Sequence, residues 1–91
     1  MKQYPEYYEE LKSLMGTLGG EIPGAMSGFS QLHQGAMADG ALSSKHKELI
    51  ALGIAITVRC AGCIAFHVHD ALAAGADRDE IMETIGVAVL M

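Results

Sequence analysis

Apolar residues recur along this chain at steps of three and four, and nowhere do they alternate with polar ones for long. That period belongs to helices buried on one side, and it predicts an all-α fold of about five helices in a single domain, residues 1–91. In the first helix, residues 5–18, Tyr4, Tyr7, Tyr8, Leu11, Met15 and Leu18 form one stripe. Pro5 suits a first turn, where its missing N–H breaks no bond, and Gly19-Gly20 is expected to stop the helix. Residues 23–39 are expected to be helical despite Gly28 and Gly35, each of which costs about 1 kcal/mol relative to alanine and permits close packing. These glycines match no P-loop or dinucleotide fingerprint.

The third helix, residues 44–58, has Ser43 as its N-cap and Leu42 as a hydrophobic staple. After Glu48 it is apolar nearly all round, which predicts a central position. Lys45 and Lys47 stand in its first turn, where the helix dipole disfavours cations. They are either two solvated lysines or a sign of a functional or intersubunit contact. A break over residues 59–62 starts the fourth helix, and Gly75 ends it. Asp77 and Glu80 form a D-x-x-E box opening the fifth, which reaches Met91 still strongly apolar.

This pattern leaves too much apolar surface for so small a chain. Of 91 residues, 51% are hydrophobic and 19% charged, with a mean hydropathy of +0.26. A domain of this size has a high surface-to-volume ratio, so the excess must enter a membrane or be buried against other copies. The longest apolar run, residues 49–58, is ten residues. Crossing a bilayer takes about 20. The N-terminus "MKQYPEYYEE" is acidic where a signal peptide would be basic. The expectation is a cytoplasmic homo-oligomer without membrane contact. Six Lys+Arg against eleven Asp+Glu, a net charge of −5, oppose binding to nucleic acid, which calls for a basic stripe.

The chemistry concentrates in "RCAGCIAFHVHDAL", residues 59–72. On a helix Cys60, Cys63 and His67 share one face, while His69 lies about 200° round from His67. A thiol near a helix start is drawn toward its thiolate by unpaired N–H groups and the positive dipole end. His67, one turn beyond Cys63, can take the proton directly or through a water. A second cysteine within reach then resolves a sulfenic acid or mixed disulfide. Glu48 is the obvious partner for the other His67 nitrogen, although a solvated first-turn carboxylate reads equally well. His33, His46 and His69 have no evident partner and read as surface or interface residues.

The span "ALSSKHKELIALGIAITVRCAGCIAFHVHDALAAGADRDEIMETIGVAVLM", residues 41–91, resembles the carboxymuconolactone decarboxylase-like superfamily, and within it the alkylhydroperoxidase AhpD-type branch. The branch carries a glutamate, C-x-x-C twelve residues later, then x-x-x-H, here Glu48, Cys60, Cys63 and His67. The resemblance implies an all-helical fold assembling into trimers or hexamers. It also implies a cofactor-free thiol peroxidase or disulfide reductase, an antioxidant acting on a peroxide or disulfide. A lipoyl- or thioredoxin-like protein would be the electron donor. In the branch's mechanism Cys63 attacks the peroxide, Cys60 resolves it, and Glu48 and His67 relay protons.

Two departures stand out. Some peroxidases of the branch have a histidine between the cysteines where this chain has Gly62. The family also usually continues past "VAVLM" with a glycine-rich turn and another helix, which a longer chain or a covering partner subunit would supply. The decarboxylases that name the superfamily generally lack the cysteine pair. Two other classes compete: a zinc site using Cys60, Cys63 and His67, with Glu48 or another subunit as fourth ligand, and a helical oligomerisation module with idle thiols.

Overall fold

The computed structural model describes residues 3–91 as five helices: α1 (Tyr4–Glu21), α2 (Pro23–Met37), α3 (Ser44–Thr57), α4 (Ala61–Ala73) and α5 (Arg78–Leu90). Among the described residues there is no strand, and no helix is long and apolar enough to cross a membrane. α3 is the centre: it packs against α4 on one side and α5 on the other. α1 lies along α4, and α2 bridges α1 and the start of α3. This is the central role expected for a helix that is apolar nearly all round after Glu48.

Two boundaries differ from the sequence reading. α1 runs through Gly19-Gly20 to Glu21. Ile22, with φ −132° and ψ 65°, is where it breaks, because the residue before a proline is driven out of the helical region and Pro23 follows. Glycine merely weakens a helix, whereas the residue before a proline is sterically excluded from continuing it. α2 ends at Met37, two residues short of expectation.

Asp39 instead serves α3, accepting a hydrogen bond from the Ser44 N–H at 2.6 Å. The Ser44 hydroxyl donates to the Met37 carbonyl, and Lys47 Nζ donates to the Ala38 carbonyl at 2.6 Å. The α2 C-terminus thus receives a cation, which its dipole favours. Lys45 reaches Glu80 at the start of α5, Nζ to Oε2 2.8 Å. The two lysines that conflict with the dipole of their own helix are tied to the ends of two others.

The remaining boundaries follow local chemistry. The Ser43 hydroxyl accepts the His46 N–H at 3.1 Å, and the His46 ring returns to it at 2.8 Å. Asp77 and Glu80 form the expected reciprocal box, at 2.8 and 3.0 Å. α3 and α4 end in the same way. In each, an N–H bonds back five residues (Cys60 to Ala55, Ala76 to Ala71) over a residue of positive φ. That residue is Gly75 (φ 101°) after α4 and Arg59 (φ 60°) after α3.

The core is made largely of alanine. Ala55, Ala65, Ala71, Ala76 and Ala88 are buried, and Leu52, 1% exposed, is the one large side chain fully enclosed among the described residues. Small side chains let the helix axes approach closely, but they bury little apolar area. Leu14, Phe29, Leu32, Ile54, Val87 and Leu90 are left exposed. The radius of gyration, 13.7 Å, exceeds the about 12 Å of a compact chain of this length. Phe66 is covered within the chain, edge-on against Tyr8 of α1 at 5.1 Å, and is half-buried.

Candidate functional site

Cys60 and Cys63 are joined in a disulfide, with Cα atoms 5.2 Å apart. Cys60 is not itself helical. It is the N-cap of α4, with φ −99° and ψ 99°, and its Sγ accepts the Cys63 N–H at 3.1 Å. Cys63 is the third helical residue, among the N–H groups that no upstream carbonyl satisfies. The turn that aims the pair is the strained one at Arg59, which directs the chain out of α3 and into α4 within three residues. Both cysteines are half-buried.

His67 lies one turn beyond Cys63, and its Nδ1 is 2.8 Å from Glu48 Oε2. Glu48 is only 4% exposed. It is therefore the partner of His67 rather than a solvated first-turn carboxylate. A buried carboxylate accepts but cannot donate, so the ring proton sits on Nδ1, leaving the Nε2 lone pair free to accept another. α3 and α4 together produce this pairing: Glu48 faces inward because α3 is central, and His67 lies on the α4 face packed against it.

Gly62, the residue between the two cysteines that the resemblance singled out, lies against α1. A Cβ there would meet Leu11 Cδ1 of α1 at 3.1 Å. α1 thus occupies the space that a larger side chain would need. The same helix is fixed nearby by Tyr8, which stacks on the His69 ring with centroids 3.9 Å apart and planes 13° apart. His69 also bonds Asp70 Oδ1 at 3.1 Å, so it has two partners where the sequence showed none.

His33 of α2, Glu48 of α3 and Asp70 of α4 also converge, each offering one ligating atom with all three within 4.8 Å of one another. Sequence reasoning missed His33 and Asp70. Asp70 carried a faint signal, three residues after His67 and so on its face. His33 carried none, because it comes from a separate helix. This converging set shares only Glu48 with the competing zinc reading of Cys60, Cys63 and His67, whose two sulfurs are bonded to each other.

Away from the thiols, a groove of about 600 Å³ runs between α3 and α5, lined by Leu49, Ile50, Ile54, Val58, Val87 and Met91 among others. It contains neither cysteine, nor His67, nor Glu48.

Comparison with known proteins gives these positions a context. The chain is similar to a carboxymuconolactone decarboxylase family protein from Legionella pneumophila whose apo crystal structure is known. That match has a TM-score of 0.91 and 40% identity, covering 97% of this chain and 79% of that one. An uncharacterised protein from Cupriavidus necator is 35% identical over 82 residues, 90% of this chain and 73% of that protein. A further relative, "uncharacterized protein 4 in cox locus" from Paracoccus denitrificans, is 43% identical over 63 residues, 69% of this chain and 57% of its own length. The profile of the Carboxymuconolactone decarboxylase family matches residues 23–91, which take in the disulfide, His67, Glu48 and the α2 helix. The chain belongs to the carboxymuconolactone decarboxylase family.

Proposed function

We propose that this protein is a thiol-dependent peroxidase or disulfide oxidoreductase in which Cys60 and Cys63 cycle between dithiol and disulfide. The observation that carries this reading is the disulfide at the start of α4 with a carboxylate-backed imidazole one turn away. In the reduced form Cys63 gives its proton to His67 Nε2, and Glu48 stabilises the imidazolium. The Cys63 thiolate attacks a peroxide oxygen. An S–O bond forms, the O–O bond breaks, and the departing oxygen takes the proton back from His67. The Cys60 sulfur then attacks the Cys63 sulfenic acid. The S–S bond forms, the S–O bond breaks, and water leaves with the Cys60 proton.

Peroxide has then gained two electrons and the cysteine pair has lost two. A thiol donor of the lipoyl- or thioredoxin-like kind returns them by exchange. Attack by that donor on Cys63 releases Cys60 as a thiolate, which the Cys63 N–H is placed to stabilise. The exposed apolar side chains and the α3–α5 groove support a homo-oligomer, a trimer or hexamer, and the working compartment in this reading is the reducing cytoplasm.

Mass spectrometry of the reduced protein before and after one equivalent of peroxide tests the reading. Two thiols per chain should disappear and dithiothreitol should restore them. If both thiols survive peroxide and also a small disulfide such as oxidised lipoamide, the redox reading is wrong and the pair is structural.

A further inference from the structure

His33, Glu48 and Asp70 come from three different helices, α2, α3 and α4, and present a nitrogen and two carboxylate oxygens within 4.8 Å of one another. We propose that they form a divalent-cation site, for an ion of the zinc class, distinct from the cysteine pair. The site goes beyond the thiol chemistry above, of which only Glu48 is a shared member.

The carboxylates are already held. Glu48 accepts from His67 Nδ1 at 2.8 Å and Asp70 from His69 Nδ1 at 3.1 Å. Each thus has a histidine behind it, and an outer hydrogen bond of this kind orients a metal-binding group. His33 differs. Among the described residues no hydrogen bond or ion pair reaches it, although it is half-buried and within 4.8 Å of two carboxylates. The three groups are therefore close, yet His33 is not satisfied by the other two. Zinc bonds of about 2.0–2.2 Å to nitrogen and oxygen place neighbouring ligand atoms roughly 3–4 Å apart. Side-chain rotation of around an ångström separates that geometry from the one observed.

Charge argues the same way. Two carboxylates facing each other inside a chain of net charge −5 repel, and an ion between them replaces that repulsion with attraction. One imidazole and two carboxylates make a nitrogen–oxygen set suited to zinc, with water completing the coordination, rather than to a soft ion that seeks thiolate.

The test uses the full chain in its oxidised form, so that neither sulfur can bind metal, titrated with zinc by calorimetry. One zinc per chain is expected. His33→Gln and Asp70→Asn should each weaken binding at least tenfold, while His46→Gln, at an exposed histidine, should leave it unchanged. Absence of saturable binding overturns the proposal, as does unchanged affinity in both ligand variants, which would mean an adventitious surface ion only. Should a variant not fold, the wild-type protein decides by NMR. The His33 ring resonances must shift on addition of zinc, and a His33 ring unaffected at saturation rejects the site. Thiol loss under peroxide is read separately, so failure here is distinguishable from failure of the redox reading.

Discussion

Glu48 and His67 are nineteen residues apart in sequence and 2.8 Å apart in space, the carboxylate buried on the central helix and the imidazole on its neighbour. In the proposed mechanism this pair acts as a unit, because the hydrogen bond to Glu48 fixes the orientation of the ring. Removing either member should slow alkylation of reduced Cys63 by iodoacetamide near neutral pH, and removing both should add little. General-base assistance is worth about 10²–10⁴ in rate, so His67→Ala should fall in that range and Glu48→Gln should lose less. Wild-type rates in both single variants would reduce the pair to packing and leave only the helix start to activate the thiol.

The same pair has a stability signature. His67→Ala leaves the Glu48 carboxylate buried without its hydrogen-bond partner, which costs about 1–3 kcal/mol and more where the group is charged. The Glu48→Gln/His67→Ala double variant removes the stranded charge and should be more stable than His67→Ala alone. Urea denaturation of the three proteins checks the order, and a double variant less stable than His67→Ala would contradict it.

Arg59 and Gly75 occupy equivalent places after α3 and α4, both at positive φ. A residue with a Cβ in this region is strained by roughly 1–2 kcal/mol. Arg59→Gly is expected to raise Tm by about 4–8 °C for each kcal/mol gained, and Gly75→Ala to lower it comparably. Opposite signs at two sites with the same hydrogen bonding isolate the conformational effect from lost contacts, and calorimetry reads it directly.

Lys45 and Glu80 join the starts of α3 and α5. The Lys45 ammonium bonded to Glu80 holds that carboxyl below its ordinary value of 4.5, helped by the Asp77 N–H. In return the carboxylate holds Lys45 above its ordinary 10.5. A carboxyl depressed on folding adds stability above its unfolded value and loses it as pH falls through the folded one. An amine raised on folding adds stability below its unfolded value and loses it as pH rises through the folded one. Tm should therefore decline below about pH 4.5 and above about pH 10.5, both slopes flattening in Lys45→Met. The pair is about a third exposed, so the effect is small and should shrink in salt.

A Cβ added at Gly62 would stand 3.1 Å from Leu11 Cδ1, closer than ordinary van der Waals contact. Gly62→His is expected to destabilise the chain by about 1–3 kcal/mol, as overpacking does. Leu11→Ala in the same background should recover part of that loss. Chemical denaturation of the single and double variants decides it, and strict additivity would mean that α1 does not confine this position.

The exposed apolar groove between α3 and α5 gives a prediction about assembly. Sedimentation equilibrium at micromolar concentration should report at least three chains, and Ile54→Lys, at a 58% exposed position in the groove, should dissociate them. A well-folded wild-type monomer would contradict it.

What the sequence determined by itself is what short-range chemistry decides. The helices and their caps at Ser43 and Asp77 follow from apolar period and from side chains that reach N–H groups three residues on. The Cys60, Cys63 and His67 constellation was legible for the same reason, since all three lie within two turns of one segment. Where one local signal competed with another, the sequence misled. Two glycines read as a helix end, yet Pro23 sets the boundary, because steric exclusion is stronger than a propensity. Tertiary structure alone decided which distant side chains meet. Lys45 and Lys47 conflict with their own helix until the ends of α5 and α2 arrive beside them. Tyr8 finds His69, and His33 approaches Glu48 and Asp70, only because α1 and α2 fold back over α3 and α4. Period and spacing record which face a residue occupies. The partner across a helix interface is set by how ridges and small residues let two axes approach, and no single segment holds that information.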